Sequence, residues 1–384
     1  MVYRVKANPQ MIKWAREDAG YELDELPQSL EKSPLWESGK LQPTWADLRN
    51  LANKYKRPPI FYLMSEPPED EDDHIIEFRS SEKVEDFSPA LRLELRKAKY
   101  RRNAFITLSS EMGFNLPDFS EKKINSKNSS VFAKKLREIL DINIETQKKW
   151  IFNQKNIKKY DHSIFLYNWK EIVYNLGILV FETEDVLENE MSGLSLYNDI
   201  CPVILLNGKN KPNRRIFTLI HELAHIFMGE STICDVDKYN KKESFCNKVA
   251  AEVLVPPPIQ DEQIFYKKGT IKLGPLSHEY GVSKQTIVLR LYSLNKISKE
   301  FKDEQIKIIE LYNAEQKRKE KERNKRSSGG GMSVIDKKKK YEGKPYSRFI
   351  LNAYENKIIS STNFMRYLDL SIDAADSLYE IVYD

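Results

Sequence analysis

Two histidines and a glutamate within "TLIHELAHIFMGE", residues 218 to 230, have the types and spacing for metal-assisted hydrolysis. On a helix His221 and His225 lie one turn apart on one face, about 5–6 Å between their Cβ atoms, so two ring nitrogens can converge on one ion. Zinc in a hydrolytic site takes three protein ligands and leaves the fourth position to water, whose pKa falls to near 7; Glu222, next to the first ligand, can take that water's proton. The HExxH pattern is therefore read as a metalloprotease motif. Phe217, Ile220, Leu223, Ala224 and Phe227 make the segment apolar nearly all round, which predicts a central, buried helix ending at Gly229. Buried imidazoles and carboxylates need partners, and a metal ion would be one.

A third ligand is sought downstream, in "KKESFCNKVAAEVLVPPP". On a helix Glu243, Cys246, Asn247, Ala250, Ala251 and Leu254 share one face, whereas Glu252 falls about 180° away, on the outward side. Glu243 is the better ligand, and Asn247, one turn on, suits a supporting role holding a ligand side chain. Cys234 and Cys246 are alternative metal-binding groups, although small packing residues are the preferred reading for both. Oxyanion stabilisation would need a donor besides the metal, for which Tyr197 and His278 are the candidates.

These residues need a scaffold. "GILVFE" and "PVILLN", with "GLSLY" as a third run, predict a small sheet just before the histidine helix. Phe165, Trp169, Ile172, Val173 and Leu176 recur at helical spacing, with Gly177 where a C-cap belongs. Residues 88 to 151 also read as helical, and so does the chain from the prolines at 256 to 258 as far as about residue 320. "LSHEYGVSKQTIVLRLYSLNKI" has helix–turn–helix grammar, its second helix carrying Ile287, Leu291 and Leu294 for packing. The fold class is α+β, mostly α.

Near the start, Met11, Trp14 and Ala15 share a helix face that ends at Gly20. Trp45, Leu48, Leu51 and Ala52 share another, with Thr44 as N-cap and Pro58 and Pro59 closing the unit. An acidic, Pro-containing stretch follows, and "EQKRKEKERNKRSSGGGMSVIDKKKK" reads as a charged helix end running into a flexible linker. The division is 1–64, a small helical domain; 65–87, a linker; 88–314, the catalytic domain, with its core at about 160–258 and a helical module at 259–314; 315–344, a charged flexible linker; and 345–384, a C-terminal helical segment.

Charges in "MVYRVKANPQMIKWARED" occupy the place of a signal peptide's apolar run, and no stretch approaches the ~18 apolar residues of a membrane span. Cys201, Cys234 and Cys246 lack CxxC spacing, which argues against a disulfide framework. A cytoplasmic protein with no membrane partner is expected. The 62 basic and 57 acidic residues describe a highly charged surface more than a basic one, so charge alone does not predict nucleic-acid binding.

The chain resembles the ImmA/IrrE family of metallopeptidases, in its longer form with an N-terminal XRE-type helix-turn-helix. "FTLIHELAHIFM" carries the resemblance, together with "ESFCNKVAAEVLVP", which is similar to that family's E-x-x-A-N-x-F-A-x-E-L-L-x-P helix. "MSGLSLYNDICPVILLNGKNKPNRR", "GVSKQTIVLRLYSLNKI" and "SRFILNAYENKIISSTNFMRYLDLSI" resemble its strand pair, its following helices and its C-terminal segment. Cys246 and Val249 stand where the family has alanine and phenylalanine. At the N-terminus "WAREDAG" and "WESGKLQPTWADLRNLANKYKRPP" resemble an XRE domain in degenerate form, because Pro27 and Pro34 interrupt the space for its second and recognition helices.

The resemblance implies a gluzincin-like (zincin) domain with His221, His225 and Glu243 as Zn2+ ligands and Glu222 as catalytic base. It implies an endopeptidase that cleaves a protein partner, a repressor or antitoxin-like regulator, by Glu-assisted attack of zinc-bound water. The strand of Val203, Ile204, Leu205 and Leu206 is expected to be the edge to which substrate adds. The alternative is a DNA-binding transcriptional regulator, or the antitoxin of a toxin–antitoxin pair, whose metal site is silent or structural. DNA is a candidate partner through the N-terminal unit, although its ten basic and eight acidic side chains over residues 1 to 64 make a weak footprint for phosphate.

Overall fold

A computed structural model describes residues 3–67, 87–153, 162–234, 241–257, 271–326 and 343–370. The chain divides into two units, Met1–Tyr100 and Arg101–Asp384. The linker expected over 65–87 lies mostly outside the described residues, as do residues 327–342 and 371–384.

In the first unit, α1 (Pro9–Asp18) starts at Asn8, whose side chain accepts from the Gln10 N–H, and buries Met11, Ile12 and Ala15. The five-residue α2 (Ser33–Glu37) is followed by α3 (Trp45–Tyr55). Thr44 and Asp47 form a reciprocal capping box at the start of α3. Leu48, Leu51 and Tyr55 face the core, and Trp45 is half exposed. Arg16 and Glu37 make a bidentate pair at 2.8 and 3.0 Å that ties α1 to α2. Where an XRE domain has its second and recognition helices, and where the two prolines are expected to interrupt them, residues 23 to 37 form two three-residue 3-10 turns, Leu23–Glu25 and Gln28–Leu30, and then α2. Pro27 precedes the second turn and Pro34 lies in the first turn of α2; each can begin a helix but cannot sit inside one that continues from the residues before it, so the stretch is broken into short pieces.

Helix α4 (Pro89–Glu111) leads into the second unit, which continues with α5 (Ser129–Ile139), α6 (Ile144–Lys149) and α7 (Ser163–Asn175). Phe165, Trp169 and Val173 of α7 are fully buried, and Gly177 takes a positive φ just past its end. The sheet comprises β1 (Leu179–Thr183), β2 (Gly193–Leu196), β3 (Val203–Asn207) and β4 (Thr232–Cys234), in the order β1-β3-β2-β4. β1 pairs with β3 in parallel, and the other pairings are antiparallel. Val180, Ile204 and Leu206 face the main core with the helices, while Phe181, pointing the other way by strand alternation, stacks edge-on against Tyr346.

The histidine helix α8 (Pro212–Met228) runs beneath this sheet. Pro212 opens it, Gly229 closes it at φ 77°, and Glu230 N–H returns to His225 O. Arg215, in its second turn, pairs with Glu182 of β1, which Lys170 also meets at 3.3 Å, and this fixes the helix on the sheet. Helix α9 (Lys241–Leu254) packs across α8 and α5. After it come α10 (Leu273–Tyr280), α11 (Lys284–Ser293), α12 (Lys299–Arg326), α13 (Lys344–Glu355) and α14 (Ser361–Tyr367). Among the described residues no helix is long and apolar enough to cross a membrane.

The C-terminal carbonyls of α9, which a helix cannot satisfy itself, are taken by three side chains from three other helices. Arg137 donates to Val253 O at 2.5 Å, Gln147 to Leu254 O at 2.9 Å, and Arg290 to Val255 O at 2.9 Å. Burial pushes the Arg137 guanidinium down to about 10. This clamp fixes α9 along its axis, and with it the place of Glu243.

Candidate metal centre

α8 and α9 bring three side chains to one point. His221 Nε2 lies 3.0 Å from Glu243 Oε2, His225 Nε2 lies 3.4 Å from Glu243 Oε1, and the two Nε2 atoms are 3.1 Å apart. Tetrahedral ligation with bonds of about 2.0–2.1 Å demands donor separations of about 3.3 Å, and each of the three contacts, one imidazole to the other and each imidazole to its own oxygen of the Glu243 carboxylate, is near that value. Among the described residues this is the group of histidine, cysteine and acidic side chains able to hold an ion.

The chemistry of the donors agrees with their spacing. Asn247 Oδ1 lies 3.0 Å from His221 Nδ1. An oxygen there accepts, so Nδ1 carries the proton and Nε2 presents a lone pair to the carboxylate and to the second imidazole. Lone pairs gathered in a low-dielectric interior repel unless a cation or proton sits among them. Burial pushes the His221 imidazole down, but contact with Glu243, the charge of Glu222 and the Asn247 bond outweigh it, and the net shift is upward. Burial likewise pushes the Glu243 carboxyl up, and the two imidazoles overcome that to hold it well below the ordinary carboxylate range. Protons and a metal ion thus compete for the same atoms.

Access follows from burial. His225 and Glu222 are fully buried and His221 is 5% exposed; the Glu243 side chain is 20% exposed, and Asn247 is open to solvent. The centre therefore faces water along the α9 side.

Glu222 projects toward β2. A Cβ on Gly193 would stand 2.3 Å from Thr218 Cγ2, 3.1 Å from Glu222 Oε1 and 3.3 Å from Leu205 O, so β2 can approach the Glu222 carboxylate only with glycine there. Gly193 was not singled out from the sequence, and its signal was a glycine beginning a short apolar strand. Gly193→Ala should cost about 1–3 kcal/mol of stability by overpacking, with metal content unchanged, since Gly193 touches none of the three converging donors. Urea unfolding and elemental analysis of one preparation check this.

Two expectations need correction. Val203, Ile204, Leu205 and Leu206 form no sheet edge, because β3 pairs with β1 on one side and β2 on the other and its main-chain groups are already engaged. Glu252 does not face outward to solvent: it is buried and accepts from Ser129 Oγ at 2.9 Å and Ser130 Oγ at 2.7 Å, with Arg290 Nη2 at 3.6 Å. It lies away from the converging donors at the start of α5, where a helix N-terminus favours a carboxylate.

Of the alternative sulfur ligands, Cys246 contacts Nδ1 of His225 at 3.7 Å, the side of the ring opposite the converging Nε2. The side chain of Cys234 lies outside what the structure describes. Of the two candidate oxyanion donors, the Tyr197 hydroxyl is engaged with Asp199 Oδ1 at 2.6 Å, and His278 is exposed on α10.

A mostly helical α+β unit that presents two histidines and a glutamate beside a buried carboxylate has the donor set of a metallopeptidase. Residues 174–292 match the family model described as the IrrE N-terminal-like domain, Peptidase M78, and the match runs from the end of α7 to the end of α11. It supports the ImmA/IrrE family and a metallopeptidase for that part of the chain. No curated protein and no solved structure matches the chain.

Proposed function

We propose that the chain is a zinc-dependent endopeptidase, with His221, His225 and Glu243 as ligands and Glu222 as general base, that cleaves a protein partner. The observation that carries the reading is the convergence of two imidazole Nε2 atoms 3.1 Å apart on the two oxygens of one carboxylate, His221 at 3.0 Å from Oε2 and His225 at 3.4 Å from Oε1 of Glu243, with the His221 tautomer set by Asn247. Bound zinc supplies Lewis acidity, activating water at neutral pH and polarising a peptide carbonyl.

Glu222 accepts one proton from the attacking water as the new C–O bond forms. It returns that proton to the leaving amine as the C–N bond breaks. Asn247 keeps His221 oriented, and Gly193 lets β2 lie against the base. With β3 enclosed, the outer side of β4 is the place for an extended substrate, since β4 pairs with β2, whose Gly193 is its register partner at Cys234. The substrate class implied by the resemblance is a repressor or antitoxin-like regulator in the cytoplasm.

The purified chain should contain close to one zinc by elemental analysis and should cleave an unfolded protein substrate such as casein. Dialysis against a chelator should abolish cleavage, and stoichiometric zinc should restore it. A chain that takes up no zinc, or hydrolysis indifferent to chelation, refutes the reading.

A further inference from the structure

α9 touches the far nitrogen of each imidazole as well as the near one. Asn247 Oδ1 meets Nδ1 of His221 at 3.0 Å, and its neighbour Cys246 places Sγ 3.7 Å from Nδ1 of His225. Glu243, Cys246 and Asn247 stand at i, i+3 and i+4, so a single helix face reaches both rings. Cys246 and His225 are fully buried, and their contact is shielded from water.

We propose that Cys246 is a positioning residue whose sulfur accepts the Nδ1–H of His225 and holds that ring with its Nε2 lone pair turned toward the metal. The proposal rests on the metal-site reading above. Neutral imidazole carries its proton on one nitrogen or the other, and only the Nδ1–H form leaves Nε2 free to bind. An acceptor at Nδ1 favours that form and fixes the ring plane, as outer partners of metal-bound histidines do. Sulfur is a weak acceptor but a large, polarisable one, suited to a contact of this length in an apolar surrounding. Because it faces the nitrogen turned away from the ion, it orients the ligand and does not become one.

The test compares the 384-residue chain with Cys246→Ala, Cys246→Val and Cys246→Ser. Zinc dissociation constants come from competition with a chromophoric chelator, and ligand geometry from the visible spectrum of the cobalt(II)-loaded protein. Alanine and valine should weaken zinc binding about tenfold or more and shift the cobalt ligand-field bands. Serine, which keeps an acceptor, should stay within a few-fold of the unsubstituted chain. That chain should show no thiolate-to-cobalt charge-transfer band from Cys246. Metal-free melting of the valine variant separates loss of the contact from loss of fold.

Valine binding zinc as tightly as cysteine with the same cobalt spectrum would mean that Cys246 only fills space. Serine losing as much as alanine, or a charge-transfer band in the parent chain that Cys246→Val removes, overturns the proposal too. A parent chain that binds no zinc defeats the metal-site reading first and this inference with it.

Discussion

Glu222→Gln is expected to slow peptide hydrolysis about a thousandfold or more while leaving zinc content unchanged, within the range that a general base contributes. The amide preserves the shape of a fully buried side chain lying against Gly193 but cannot take a proton from water at neutral pH. Glu222 is not among the three converging donors, so metal affinity should hold. Replacing a buried carboxylate by a neutral isostere adds no charge to the interior, so the melting temperature should not fall. The loss should appear equally in kcat and kcat/KM, the mark of a group that acts in the transition state. Single-turnover assays on zinc-loaded protein measure it. A regulator acting through DNA or a cognate toxin, with its metal serving structure alone, would be indifferent to this change. Full biological activity in Glu222→Gln would favour that alternative.

The histidine helix was legible because its signals are local. Spacing of four, an apolar surround and a terminal glycine each act within one or two turns, and the structure returns all of them, with Gly229 at φ 77°. The Thr44 cap and the α7 stripe were readable for the same reason. Glu243 could be preferred over Glu252 because the rotation between them is fixed by helix geometry.

The errors fell where local signals end. Periodicity separates two faces of a helix but does not say what covers the second, and α9 lies between α8 and α5, so the face assigned to solvent holds a buried carboxylate. A continuous apolar run such as "PVILLN" reads alike at the edge and in the middle of a sheet; only the pairing order showed β3 enclosed. β4 is three residues long, too short to stand out. The Arg137, Gln147 and Arg290 clamp joins residues more than a hundred positions apart in two of its three bonds, with nothing in the sequence to announce it. Cys246 was visible as a departure from the family pattern, but its contact with His225 needed the fold.

The two glutamates of α9 should separate under parallel substitution. Glu243→Gln should weaken zinc binding by at least about a hundredfold, because losing an outer partner alone costs about 10–100-fold and this change removes a direct donor. The amide oxygen it leaves carries no charge to neutralise the ion, and the remaining donors are the two imidazoles 3.1 Å apart. Glu252→Gln should keep zinc affinity within a few-fold, since its carboxylate is bound to Ser129 and Ser130 and not to either histidine. Its cost should appear in folding: an amide can accept from one serine but leaves the Arg290 charge without its buried partner, for about 1–3 kcal/mol. Zinc titration and urea unfolding of the metal-free proteins, run on both variants, give four numbers. The reading requires the large losses to fall on opposite measurements. Unchanged zinc affinity in Glu243→Gln would place the third ligand elsewhere, and the converging donors at the centre of this site would have no role in holding metal.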